Sequence, residues 1–168
     1  SLGLVGAEMC IRDRSAGGPL VAELRGTEHV AWPIGGKRLS TWKYVGRLQE
    51  FLEKTKPDIL HARSRLPAWV AYLAWQRLSE SHRPHFLTTA HGLYSVSRYS
   101  SVMARGEHVI AVSNTVREYL LEHYCRWVRP DQIKVIPRGV DSTQYRRDFR
   151  PAAEWTARWR GEHPTIEG

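Results

Sequence analysis

Cysteine is scarce in this chain. Cys10 and Cys125 are the two among 168 residues, and Cys10 lies in an N-terminal stretch with neither helical nor strand periodicity. Cys125 is then left alone, which argues against a disulfide framework and favours a reducing, cytoplasmic compartment. No apolar run approaches the roughly 18 residues that a membrane-spanning helix needs. No signal-peptide h-region opens the chain either, since Glu8, Arg12, Asp13 and Arg14 stand where it would lie. Acidic residues are in deficit: 17 Asp and Glu against 25 Lys and Arg leave a formal net charge of +8. With seven Trp and seven Tyr beside it, that excess fits three partners, namely nucleic acid, an anionic membrane surface or phosphate-bearing substrates. The Lys and Arg spread through helical and loop stretches with no recognised nucleic-acid-binding motif, so no nucleic-acid partner is expected. Metal-ligand sets are missing as well. His82 with His85, and His123 with Cys125, supply too few donors for the three or four ligands of a zinc site. Both pairs read as surface residues, and no metal is expected. Neither an internal repeat nor a low-complexity tract is present.

The N-terminal stretch Glu8 to Arg14 reads "EMCIRDR". The same letters are encoded by one reading frame of a transposon-end sequencing adapter, which it resembles closely enough to set residues 1–14 apart as a non-native segment. Removing them takes away Arg12 and Arg14 together with Glu8 and Asp13, so the positive excess is unchanged. The native message is then expected to begin near Ser15, partway into a domain. What remains has the length of one domain with one sizeable core.

Along that remainder, strand-like runs alternate with helical stretches. The runs are "HVAWPI" (29–34), "DILHARS" (58–64), "HFLTTAHG" (85–92), "HVIAVS" (108–113) and "IKVIPRGV" (133–140). Their near-continuous apolar character is that of strands buried on both faces of a parallel sheet. Between them, residues 41–54 place Val45, Leu48 and Leu52 on one helical face and stop before Pro57. Residues 67–79 form a second helix, with Pro67 suited to its first turn and Trp69, Leu73 and Ala74 available to face the sheet. A short third covers 97–104. A fourth starts behind Ser113 and Asn114, with Val116, Leu120 and Tyr124 on one stripe. Alternation of this kind predicts an α/β, Rossmann-like, doubly wound parallel sheet with right-handed crossovers.

Ligands of such sheets bind at the carboxyl ends of the strands. The runs here close on His61-Ala62-Arg63-Ser64, His91-Gly92, Ser113-Asn114 and Arg138-Gly139-Val140-Asp141. Guanidinium forks, imidazoles, hydroxyls and helix N-termini on one edge suit an anionic, oxygen-rich ligand.

The blocks "PDILHARS", "FLTTAHGLYS", "SVMARGEHVIAVSNTVREYL" and "IKVIPRGVD" resemble, in order and spacing, the N-terminal domain of glycosyltransferases of family 4, retaining enzymes of two-domain GT-B architecture. The resemblance runs from Ser15 to about Arg160. "SAGGPLVAEL" resembles the segment after that domain's second strand, so Gly17 and Gly18 are not its phosphate loop. The first strand, its glycine loop and most of the second strand are expected upstream of Ser15. Residues 15–150 are therefore expected to be a partial N-terminal domain, and 151–168, with Trp155 and Trp159, a linker helix towards a donor-binding domain beyond this chain. The resemblance implies that His91 meets the donor sugar or its phosphate. It implies Gly92, Ser113, Arg138 and Gly139 on the donor side of the cleft, and Arg63, Ser64, Tyr94 and Arg98 on the acceptor side. The implied donor is a UDP- or GDP-sugar, with no cofactor and no metal. The implied acceptor is a glycan or a lipid-linked glycan, as in lipopolysaccharide or surface-polysaccharide building, with peripheral contact to the anionic inner face of the plasma membrane. A non-catalytic Rossmann-like domain that binds phosphorylated or sugar ligands would explain the strand ends equally well.

Overall fold

The computed structural model describes residues 11–15, 21–22, 27–32, 39–139, 146 and 148–163. Two compact units are distinguished, residues 1–137 and 138–168. In the first, β1 (Ile11–Ser15) pairs in parallel with β2 (Thr27–Ala31) as a two-stranded ladder. Residues 11–14, expected to lie off the sheet, thus pair with β2 and not with the larger sheet, and a strand precedes the "SAGGPLVAEL" segment. Met9 lies outside the described residues.

The larger sheet is all parallel, in the order β3 (Ile59–Ala62), β4 (His85–Ala90), β5 (His108–Ala111), β6 (Ile133–Val135). It confirms the Rossmann-like α/β class. The strands are shorter at their carboxyl ends than their apolar runs, because Ser64 and Ser113 already take extended N-cap conformations and open helices. The short third helix is a 3-10 turn, Ser100–Ala104.

Register sorts the side chains onto two faces. Leu60, Ala62, Phe86, Thr88, Ala90, Val109, Ala111 and Ile133 share one, and all but Leu60 are buried. Against it pack α2 (Arg65–Arg77), the Ser100–Ala104 turn and α3 (Asn114–Tyr124), while α1 (Lys43–Thr55) packs against α2. The other face carries Ile59, His61, Leu87, Thr89, Ile110 and Lys134. Ile59, His61 and Lys134 are exposed there and Leu87 and Ile110 half-buried. The expected burial on both faces is therefore met on one. Handedness supplies the reason: the order β3-β4-β5-β6 advances in one direction, and right-handed crossovers that advance in one direction land on one face.

Each helix follows from its sequence. In α1, Val45, Leu48 and Leu52 are buried, and the helix ends at Lys56, whose left-handed backbone (φ 42°) lets its N–H reach Leu52 O at 2.9 Å before Pro57. In α2, small residues Ala68, Ala71 and Ala74 are buried with Val70, bringing the helix close to the sheet. Its aromatic side chains gather around Phe86: Tyr72 and Trp75 lie with ring centroids 6.1 and 5.9 Å from it. The indole N–H groups are satisfied, Trp69 by Tyr99 O and Trp75 by Pro84 O, each at 2.8 Å. In α3 the stripe Val116, Leu120, Tyr124 is buried, and Ser113 Oγ accepts the Val116 N–H at 3.2 Å. The second unit contains α4 (Ala153–Glu162), where Trp155 and Trp159 stack on each other with centroids 6.2 Å apart. Among the described residues no helix is long and apolar enough to cross a membrane.

Two glycines in this framework respond oppositely to a methyl group. A Cβ on Gly106 would stand 2.6 Å from His108 O and 3.1 Å from both Phe86 O and Thr88 N, all backbone atoms of the central strands. One on Gly46, inside α1, meets nothing within 4 Å. Gly106→Ala is expected to destabilise by about 1–3 kcal/mol through overpacking, and Gly46→Ala to stabilise by about 0.5–1 kcal/mol through helix propensity. Urea unfolding midpoints of the two variants test both signs.

Candidate functional site at the carboxyl edge of the sheet

Parallel pairing brings the ends of β3, β4 and β5 to one edge, where Arg63 and Ser64, His91 and Gly92, and Ser113 follow their strands directly. Residues 61 and 63, and 89 and 91, have the parity of the sheet's open face. His61 Nε2 meets the Thr89 hydroxyl at 2.7 Å, and Thr89 itself is buried. Burial holds the His61 imidazole below its ordinary pKa, and the neighbouring charges of Arg63 and His91 push the same way. The ring keeps solvent contact, so this depression is tempered by screening. His61, Arg63 and His91 therefore interact electrostatically, and the interaction disfavours the charged form of His61.

The loop 91–99 leaves β4 at His91, whose backbone N–H donates to Tyr94 Oη at 3.1 Å. The Arg65 guanidinium lies over the Tyr94 and Tyr99 rings, at 5.6 and 5.3 Å from their centroids, and reaches Ser100 Oγ at 3.3 Å. Tyr119 Oη donates to Tyr94 O, and its phenol pKa is raised by desolvation first and by Tyr124 and Glu122 after it. Arg98 is exposed, and its carbonyl accepts from Ser101 Oγ at 2.7 Å.

The expected site residues are thus not all brought together. Arg63 and His91 meet around His61, and Tyr94 joins them through the His91 backbone. Ser64 and Ser113 both precede helices but differ in use: the Ser64 hydroxyl caps no N–H, whereas Ser113 Oγ is occupied by Val116. No protein atom outside its chain neighbours stands within 4 Å of a Cβ on Gly92, so the space above its backbone is open. Arg138 and Gly139 are exposed and belong to the second unit. The surface readings of the other histidines fit their contacts. His82 Nδ1 meets Ser79 Oγ at 2.8 Å, and His85 lies 3.7 Å from Glu107. Sequence reasoning set His61 among the polar strand ends without a role of its own, read Tyr124 as part of a helical stripe, and gave no role to Thr89, Arg65 or Tyr119. For His61 and Thr89 the signal was present in the strand period, which puts them on the face of Arg63 and His91.

A parallel α/β sheet with polar strand ends collected on one edge defines the Rossmann-like class of ligand-binding domains. Within that class, the family profile described as Glycosyltransferase Family 4 matches residues 6–144, and the chain belongs to that family. The chain is similar to the crystal structure of a glycosyltransferase from Rickettsia africae ESF-5, with a TM-score of 0.66 and 29% identity over 95% of this chain and 42% of that one. It therefore spans less than half the length of that protein. No curated protein matches the chain.

The lowered pKa of His61 has a stability consequence. Between its folded value and the ordinary 6.5, the unfolded chain binds the proton more readily. Stability contributed by neutral His61 is therefore complete above 6.5 and lost as pH falls towards the folded value. His61→Gln keeps a polar partner for Thr89 and does not titrate. Its melting temperature should fall less than the parent's between pH 7.5 and 5; equal falls in the two proteins would contradict the assignment.

Proposed function

We propose that this chain is the acceptor-side part of a retaining, GT-B glycosyltransferase that moves a hexose from a UDP- or GDP-sugar to a glycan or lipid-linked acceptor. The observation that carries the reading is the group of His91, Arg63 and His61 at the carboxyl edge, in a chain of Glycosyltransferase Family 4. In this reading His91 meets the donor sugar or its leaving phosphate beside the open backbone of Gly92. Arg63 and Ser64 face the acceptor with Tyr94 and Arg98, and Arg138 and Gly139 border the donor. The sugar's anomeric carbon leaves the donor phosphate oxygen and bonds to the acceptor oxygen on the same face. The donor phosphate takes the acceptor proton, so the chain needs no nucleophile of its own. The basic excess suits an acceptor held at an anionic inner membrane surface, and lipopolysaccharide or surface-polysaccharide assembly is the process that fits such an acceptor.

The test is nucleotide release from UDP- and GDP-sugars with lipid-linked acceptors by the full-length protein. We expect turnover from it, with kcat lowered at least about 100-fold by His91→Ala, the weight of one electrostatic contact made in the transition state. Arg63→Ala should raise the acceptor KM by about tenfold or more, the loss of a charge-assisted contact. The 168-residue chain alone should not turn over, because holding two reactants in line supplies about 7–11 kcal/mol of barrier lowering. Tight sugar or phosphate binding by the full-length protein without release would favour the non-catalytic alternative.

A further inference from the structure

The loop between β4 and the Ser100–Ala104 turn is fixed by its main chain and open through its side chains. Tyr94 O accepts from Tyr119 Oη. Tyr124 Oη donates to Ser95 O at 3.2 Å and accepts the Ser97 N–H at 3.4 Å. Trp69 Nε1 holds Tyr99 O from the α2 side. Between these anchors Leu93 and Val96 are 59% and 61% exposed, and Arg98 is exposed with them. Backbone carbonyls tied inward while apolar and cationic side chains face out give a surface shaped for contact, not for packing.

The two phenols are not required by the core. Tyr124 is 1% exposed and packs with Leu120, Val116 and Val109, work that a phenylalanine ring does equally well. Its hydroxyl is the part that leaves this cluster and reaches the loop. Tyr119 sits on the same helix, its ring edge-on to Tyr124 with centroids 6.2 Å apart. Both hydroxyls therefore come from α3, whose N-terminus is itself at the carboxyl edge behind Ser113. A hydrogen bond holds a loop only while both partners are rigid, and here both hydroxyls are carried by one helix, Tyr124 buried in the core and Tyr119 half-buried against it.

We propose that Tyr119 and Tyr124 are positioning residues for glycosyl transfer, setting the loop 94–97 so that Tyr94 and Arg98 meet the acceptor. This rests on the acceptor-side reading given above, and it assigns to α3 a part in acceptor recognition exerted through the loop.

The experiment uses the full-length protein and its Tyr124→Phe and Tyr119→Phe variants. Hydrogen exchange of the Ser97 amide reads the loop without any substrate, and Tyr124→Phe should speed it about fivefold, the weight of one net hydrogen bond. Steady-state kinetics should show the acceptor KM raised about fivefold in each variant with the donor KM unchanged. Unchanged exchange and unchanged acceptor KM overturn the proposal. So does a fall in activity that follows the loss of folded protein with both KM values at the parent level, which is a purely structural role. Should the full-length protein release no nucleotide, the transfer reading falls by itself and exchange decides the clamp: faster exchange at Ser97 keeps the loop-setting role, and parent-level exchange removes it.

Discussion

The pairing of β4 with strands on both its sides is the constraint on which the other features depend. Phe86, Thr88 and Ala90 are fully buried on its inner face, and polar atoms brought in with them are satisfied. Thr88 Oγ1 donates to Met103 O at 2.7 Å, and the Phe86 N–H finds Glu107 Oε2 at 2.8 Å. A parallel ladder on each side then obliges the chain to cross over between strands, and the crossovers advance in one direction. Two consequences follow together. Helices accumulate on one face, and the ends of β3, β4 and β5 arrive at one edge. The site is a by-product of connectivity before it is a matter of residue choice.

Much of that architecture was legible in the sequence. The stripes Val45-Leu48-Leu52 and Val116-Leu120-Tyr124 are buried as their spacing implies, because helical period reports a face directly. Strand limits were less legible at one end. The runs "DILHARS" and "HFLTTAHG" extend past the last ladder residues, the buried Ala62 and Ala90, into polar residues that already belong to loops. Burial of one sheet face alone was not legible, since a run such as "HVIA" is equally apolar whether Ile110 meets a helix or half meets solvent. The site was legible as a set of strand ends but not as a set of partners. His61 and Thr89 lie 28 residues apart, and only register makes them neighbours. Tyr124 read as a core residue, which its ring is. That its oxygen crosses to Ser95 depends on where the β4 loop folds back, and no local pattern encodes that.

The charge balance also changes meaning once contacts are known. Several arginines sit over aromatic rings. Arg105 lies 5.2 to 5.4 Å from the centroids of Trp69, Trp127 and Tyr72, Arg83 lies 4.8 Å from Trp75, and Arg65 covers Tyr94 and Tyr99. Arg83 also donates to the carbonyls of Leu78 and Gln76. In composition, abundant Arg and abundant Trp and Tyr suggest an external anionic or stacking partner. In the fold, part of each is the other's partner, an arrangement favoured because guanidinium is weakly hydrated and planar. Arg63 and Arg98 keep exposed side chains at or near the carboxyl edge.

Rigidity and openness are divided between neighbouring atoms along this edge. On the open face of the sheet His61 and Arg63 are exposed and His91 is half-buried, and Ile59 is exposed on the same face. Exposed loops ordinarily lose their shape, and a loop that must be ordered by its ligand weakens binding by the entropy of ordering it. Helix-borne hydroxyls offer a way round this, since the Tyr124 oxygen adds little to a core that Phe would also fill, while restricting loop backbone beside the exposed side chains of Leu93 and Val96. The same logic applies to Arg65, whose guanidinium lies over two rings of the loop while reaching the serine that follows it. Order is thus imported into the loop from α2 on one side and α3 on the other. The parallel sheet that generates the edge therefore also supplies, through its crossover helices, the groups that hold that edge in shape.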